Sequence, residues 1–527
     1  MKVRKRLLVS LSILVVTALM VGVGIAEGKG ESPPGYTLRV IYREEADMMD
    51  PQITWMMLSK NITYSVAEGL VGFVKDTLEV EPILAESWNI SEDGKKWTFR
   101  LRKGIKFTDG APFNAEAVAF NFDRLMDIGL GPARFFQYVD RVEVVDQYTV
   151  KFYLKAPRAA FLRSLPWFRI VSPKVVREHR TADDPWAKNW FQAHVVGTGP
   201  YLLAEWVRDQ YIKIVRNEDY WRGWQRNQVS ELIALSQIEP TAACLMLERG
   251  DVDIIMSIAE EKIPSLRGNP DIGIRFVPSL CVFQLQLNNA KDPLTNLLVR
   301  RAVAHSFNFE EYCKLRERDL PRANTPFLPE LTGGEIPNLQ KYPYDIEKAK
   351  VLLKEAGYKP GELELTMGLN EGDLVQRKTG LVLQDGLKKV GIKLNIRTIP
   401  WAQLVGLMHH EETALDIVPY YASSSDGTAV AIANLVLHSK SIGYRNFMFY
   451  QNEEVDRLTE EAEEMVNDEK RLELIRQIAR IVMEDCPAVY LNMKVSPGAF
   501  RKGITYYPVK TSTTEFRVYS VRVEKRE

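Results

Sequence analysis

Apolar and polar residues alternate along Tyr36 to Tyr42, YTLRVIY, the pattern of a strand with one buried face. Alternation returns at Trp97-Thr98-Phe99-Arg100-Leu101 and through Val142 to Leu154, where Asp146-Gln147 marks a hairpin. Ser91-Glu92-Asp93-Gly94 supplies another turn, because Asp-Gly offers the positive backbone angle that a tight hairpin needs. Elsewhere the period lengthens to that of a helix. Behind Asn114, a good N-cap, Val118, Phe122 and Leu125 fall on one face. Val299, Ala302, Val303 and Ser306 share a second face, and Asp345 opens an amphipathic helix that Gly357 ends. Leu363 to Met367, a helix near Leu381 to Val390, and Ile392 to Thr398 make the β-α-β step of an α/β lobe. Val455 to Ile481 predicts a charged-faced helical region that leads into apolar Ala488 to Leu491.

One stretch follows neither period. Leu7 to about Ile25 is apolar, broken only by small or hydroxyl residues, and follows the cations Lys2, Arg4, Lys5 and Arg6. That is the pattern of a secretion signal, and Gly24 and Ala26 suit a peptidase. The run also reaches the length of a membrane-spanning helix, about 19 residues, so residues 1–26 read as a signal peptide or a membrane anchor. Residues 27–35 have linker composition, with EGKGESPP over Glu27 to Pro34.

Composition narrows the remaining choices. A chain of 527 residues, 46% hydrophobic and 26% charged, has the make-up of a globular protein of two to four domains. Its 69 basic residues balance 69 acidic ones, which gives no electrostatic footprint for nucleic acid. Cys244, Cys281, Cys313 and Cys486 are far apart and lack CxxC spacing, so neither a zinc site nor a disulfide framework is legible. His409-His410-Glu411-Glu412 invites a metal reading, but adjacent helical residues do not share a face, and the run reads as a solvated helix end. Gly197-Thr198-Gly199-Pro200 lacks the Lys-Ser/Thr of a phosphate loop, and neither GxSxG nor HExxH occurs. No cofactor, metal or catalytic set is expected. Asn61-Ile62-Thr63 and Asn89-Ile90-Ser91 are glycosylation sequons for a host that glycosylates exported chains.

Four separated blocks carry a family resemblance. They are Leu84 to Leu125 (LAESWNISEDGKKWTFRLRKGIKFTDGAPFNAEAVAFNFDRL), Gly197 to Trp221 (GTGPYLLAEWVRDQYIKIVRNEDYW), Leu285 to Asn308 (LQLNNAKDPLTNLLVRRAVAHSFN) and Tyr344 to Tyr358 (YDIEKAKVLLKEAGY). Asp50-Pro51 and Ala67-Glu68-Gly69-Leu70 precede them, and Gly250-Asp251-Val252-Asp253 falls between the second and third, all in family order. The chain resembles the family 5 extracellular solute-binding proteins, the peptide-binding class that feeds ABC importers. The resemblance implies an α/β, bilobal periplasmic-binding-protein-like fold (type II, cluster C), with an extra subdomain in the N-terminal lobe. On that plan lobe one comprises residues 36–69, 196–287 and 488–527, the extra subdomain 70–195, and lobe two 288–487. The hinge would lie near Asn288 and Pro487. It further implies a monomeric, exported, non-enzymatic protein that passes its ligand to ABC permease subunits. No cysteine near the end of the apolar run permits the lipidated N-terminus that many such proteins carry.

The same resemblance assigns a ligand site. A carboxylate that holds a peptide's ammonium group falls, without a gap, on Ser425, one residue before Asp426; Asp426-Gly427 also reads as a plain turn. Trp401 matches an aromatic wall, and Tyr420 and Tyr421 map to the mouth of the same cleft. Aromatic platforms suit peptide side chains or sugar rings, so peptide is the first ligand expectation and oligosaccharide the alternative. Tyr420 occupies the position of a histidine in nickel-binding relatives. Ser423 stands where some oligopeptide binders carry the disulfide partner of the cysteine matching Cys281, so that bridge should be missing.

Overall fold

The strand pattern resolves into one ten-stranded mixed sheet and a separate four-stranded antiparallel sheet. The structure, a computed structural model, describes residues 35–527 apart from 75, 76, 78, 159, 317–319, 425, 426, 507, 511–513 and 525–527. The leader, the expected Ser425 and Asp426, and residues 27–34 of the linker therefore lie outside the described residues.

Two long strands, Ile272–Leu287 and Ala488–Arg501, pair antiparallel through the middle of the large sheet. On one side Tyr36–Ile41 runs parallel to Val229–Leu235 and Ile254–Ile255, and Tyr211–Arg216 and Tyr201–Val207 follow as a meander. On the other side Ile417–Ser423 pairs with the C-terminal half of Ile272–Leu287, then Leu363–Asn370 and Ile392–Ile399 continue in parallel. The helix Leu374–Lys389 connects those last two strands. It begins seven residues before the expected Leu381, because Asp373 accepts from the Gln376 amide and caps an earlier turn. The predicted helical region at Val455 to Ile481 is two helices, Glu453–Glu464 and Asp468–Asp485; Asn467 caps the second.

The four-stranded sheet has the order Ala85–Ile90, Lys96–Leu101, Thr149–Leu154, Val139–Asp146. Helix Ala115–Ile128 covers it, capped by Asn114, which accepts from the Ala117 amide at 2.9 Å. Val118, Phe122 and Leu125 are buried beneath it as their spacing predicts.

Buried clusters divide the chain at places other than the limits drawn from the resemblance. The subdomain core ends at Ile170, and Val171, Val175, Phe191 and Val195 pack into the lobe-one core with Leu38, Val40 and Leu232. Val282, Phe283, Leu285 and Leu287, with Ala488 to Leu491, belong to the two lobe-two cores. The long strands thus pass between lobes inside the sheet, where their register shifts between Pro278 and Val282. Residues 36–527 form one compact unit.

Gly197-Thr198-Gly199-Pro200 is a packing joint. A Cβ on Gly197 would lie 2.3 Å from the Val66 carbonyl oxygen and one on Gly199 2.6 Å from it, too close for any side chain. Thr198 donates to Glu68, which also accepts from Tyr220 and Trp221, and burial raises the Glu68 pKa. Asn61 is buried within helix Met57–Val66, so the first sequon is inaccessible in the folded chain, whereas Asn89 is exposed.

Candidate functional site

Lobe one and its subdomain hold a cluster of rings and cations, in which Lys60 and Trp167 are buried and Arg134 is exposed. Lys60 and Tyr64 stand one turn apart on helix Met57–Val66; Trp55 precedes that helix. Trp167 comes from the short helix Leu165–Trp167, and Arg134 and Phe135 from Gly131–Phe135. The Lys60 ammonium lies 4.3 Å from the Trp167 ring centroid, 5.3 Å from Trp55 and 5.8 Å from Tyr64. The Arg134 guanidinium sits 4.8 Å from both Trp55 and Phe135, and that of Arg169 3.9 Å from Tyr64. Three cations therefore share one aromatic surface, an arrangement that becomes more favourable as water is excluded. Burial lowers the Arg134 pKa, and the neighbouring charge of Arg445 from lobe two adds to that shift.

A buried network holds this cluster in place. Arg124 of helix Ala115–Ile128 grips Asp50 through two nitrogens, at 2.6 and 3.1 Å, and donates to Gln52 at 2.8 Å. Gln52 in turn donates to the Arg169 carbonyl at 2.8 Å. The turn that leads to Trp55 is thereby tied to the segment that carries Arg169 and Trp167.

Lobe two supplies Ile417–Ser423 and the loop after it. Successive strand residues leave on opposite faces, so Tyr420 and Tyr421 separate. Tyr420, 8% exposed, meets Phe447 edge to face at 5.7 Å, and its phenol is raised by burial while Arg445 partly opposes the shift. Tyr421 stacks on Phe283 at 4.5 Å with the Lys494 ammonium 5.1 Å from its ring, and burial raises its phenol well above 10.0. Trp401 is the first residue of helix Trp401–Met408 and is 37% exposed, at the C-terminal end of the parallel strands. Beyond the strand, Ser424 donates to the Thr428 carbonyl at 2.8 Å, and the expected Ser425 and Asp426 lie outside the described residues.

Among the described residues, further polar contacts join the lobes. Arg163 of the subdomain donates to the Gly427 carbonyl at 3.0 Å, and Arg158 pairs with Glu463. Elsewhere, Glu260 of lobe one accepts from Arg316 at 2.7 Å and lies 3.8 Å from Lys378. A cavity of about 240 Å³ separates the subdomain from lobe two, lined by Arg134, Tyr138, Thr428, Asn434 and Ser441 among others.

Cys281 faces Ser423 in strand register, and all four cysteines are free thiols. Among the described residues, no group of three metal-binding side chains is found. Trp55, Lys60, Tyr64, Arg134, Trp167 and Arg169 were not expected from the sequence. The available signal was a lysine with aromatic residues five positions before it and four after.

Separate buried cores raised on the two ends of one shared sheet define the bilobal binding-protein class. The profile of the bacterial extracellular solute-binding proteins, family 5 (middle region), matches residues 79–442. The chain is 30% identical over 472 residues to the probable D,D-dipeptide-binding periplasmic protein DdpA of Escherichia coli, covering 88% of this chain and 90% of that one. It is also 30% identical over 444 residues to heme-binding protein A of Haemophilus influenzae, covering 79% and 80% respectively. Among solved structures, the periplasmic binding protein DppA of Helicobacter pylori in complex with the peptide STSA superposes with a TM-score of 0.76 at 25% identity, covering 94% of this chain and 99% of that one. The chain belongs to the family 5 extracellular solute-binding proteins. No helix among the described residues is long and apolar enough to cross a membrane.

Proposed function

We propose that this chain captures peptides between its two lobes outside the cytoplasm and delivers them to the membrane subunits of an ABC importer, as a monomer and without transforming them. What supports this reading is membership of family 5 together with a ring-and-cation cluster whose Arg134 feels the charge of Arg445 from lobe two, as Tyr420 also does. Rings accept varied side chains, cations attract a free carboxylate, and Asp426 is proposed to hold the ammonium end. Trp401, Tyr421 and Ser425 complete the proposed ligand set. The register shift between Pro278 and Val282, opposite Met493 and Val495, is the proposed hinge in place of Asn288 and Pro487, because the strand beyond it already packs in lobe two. The leader is proposed to direct export.

The test is thermal unfolding of the leaderless protein against di- to octapeptides and, separately, oligosaccharides. A ligand at 100 times its dissociation constant adds about 2.7 kcal/mol to the native state, enough to raise the midpoint by several degrees. A shift with peptides supports the reading; a shift with sugars alone overturns it.

A further inference from the structure

Arg158 belongs to the extra subdomain and Glu463 to helix Glu453–Glu464 of lobe two, and their side chains form an ion pair across the lobe interface. Neither residue lies on a strand of the ten-stranded sheet that joins the lobes. Both ends are braced. The Arg158 guanidinium lies 4.5 Å from the Tyr138 ring, and Asn434 donates to Glu463 at 3.2 Å. Arg163, one turn further along the subdomain, adds its bond to the Gly427 carbonyl on the same flank. Val466, just past the helix, lies so close to Gly94 that a Cβ there would approach it to 2.8 Å.

The second lobe-to-lobe contact, Glu260 with Arg316, is placed differently. Arg316 adjoins Tyr312 and lies near Tyr421, which stacks on Phe283 one residue past the register shift. A rotation about that shift moves the neighbourhood of Phe283 little and the subdomain flank far. We infer that the Arg158–Glu463 pair is a clasp that holds the lobes together and sets the closed fraction of the protein independently of ligand chemistry. Its two residues position the walls and do not grip ligand. Because apparent affinity scales with the fraction of protein in the binding-competent state, such a clasp tunes every ligand by the same factor.

The affinity consequence rests on the peptide reading, but the clasp itself does not, so the test has a ligand-free arm. Small-angle scattering of the leaderless protein, without ligand, compares wild type, Arg158→Glu, Glu463→Arg and the double exchange at low and high salt. The single variants should show a larger radius of gyration and the double exchange should restore the wild-type value. Salt should expand wild type toward the single variants, since both side chains are partly exposed and screenable. Equal radii for wild type and single variants overturn the clasp, as does a double exchange that stays expanded. In a second arm, two peptides of different charge should each lose about two- to fivefold in affinity on Arg158→Ala, the scale of a partly exposed pair. Unequal losses overturn a purely conformational role. If no peptide binds wild type, the peptide reading fails and the scattering result still decides the clasp.

Discussion

The two proposed walls of the ligand site are built by opposite strategies. Lobe two draws its proposed wall from one short stretch, Tyr420 within Ile417–Ser423 and the segment that follows it, where Ser424 donates to Thr428. Lobe one assembles its wall from four separated pieces: Trp55, helix Met57–Val66, Gly131–Phe135, and Leu165–Trp167 with Arg169. A strand positions its side chains by its own ladder. Four separate pieces must be fastened to one another, and the fastener is polar and buried: Asp50, Gln52, Asn121 and Arg124. The difference teaches where each wall is vulnerable.

Breaking the fastener should have the largest effect. Asp50→Asn leaves Arg124, whose side chain is fully buried, with an uncompensated charge, a change that costs about 3–5 kcal/mol. Urea unfolding should show the midpoint fall at unchanged slope. The corresponding tie in lobe two, Lys291 with Asp416, is exposed at its lysine end, so Lys291→Met should cost about 1 kcal/mol or less. Equal losses would break the contrast between the walls. Gly197→Ala comes next. Its Cβ meets backbone at 2.3 Å, so the joint must shift, at about 1–3 kcal/mol, and the helix that carries Lys60 and Tyr64 shifts with it.

The same contrast explains what the sequence disclosed. Hairpins, caps and the β-α-β step are local, and Asn114, Asp345 and Gly94 act within a few residues of themselves. The resemblance could be mapped without a gap onto the lobe-two strand because its residues are contiguous. The lobe-one wall left no local trace: Trp55 meets Trp167 and Phe135 only after the subdomain has folded against helix Met57–Val66. The passage of the long strands between lobes was hidden for a related reason. Nothing in the pattern of Leu280 to Leu287 distinguishes packing in one lobe from packing in the other; the contacting cores decide it.

A smaller effect sharpens the comparison at the level of binding. Trp55 lies between Arg134 and Lys60, so Trp55→Ala removes a ring from two cation contacts, and peptide affinity measured by titration calorimetry should fall about tenfold. Trp401 is more exposed and has no ring or cation contact among those described, so Trp401→Ala should cost about threefold or less. The reverse order would move the principal wall to lobe two.

The smallest effect reports on the seam between the walls. Cys281 faces Ser423 across the strand pair within the register shift, and burial pushes its thiol from 9.0 up to about 12. Cys486, at the end of helix Asp468–Asp485, is pushed up to about 12 by the same cause. At pH 8 a thiol of that pKa is ionised in about one molecule in ten thousand, and the thiolate is the reactive form. Iodoacetamide labelling read by mass spectrometry should therefore modify half-buried Cys313 first and leave Cys281 and Cys486 until the chain unfolds. The sign of the pH dependence follows from the same shift. The folded state keeps protons that the unfolded chain releases near 9.0, so these burials contribute stability below that pH and lose it as pH rises toward 12. Early labelling of Cys281 at neutral pH would mean that Ile417–Ser423 parts from its neighbour at the seam, and the lobe-two wall would then be the mobile one.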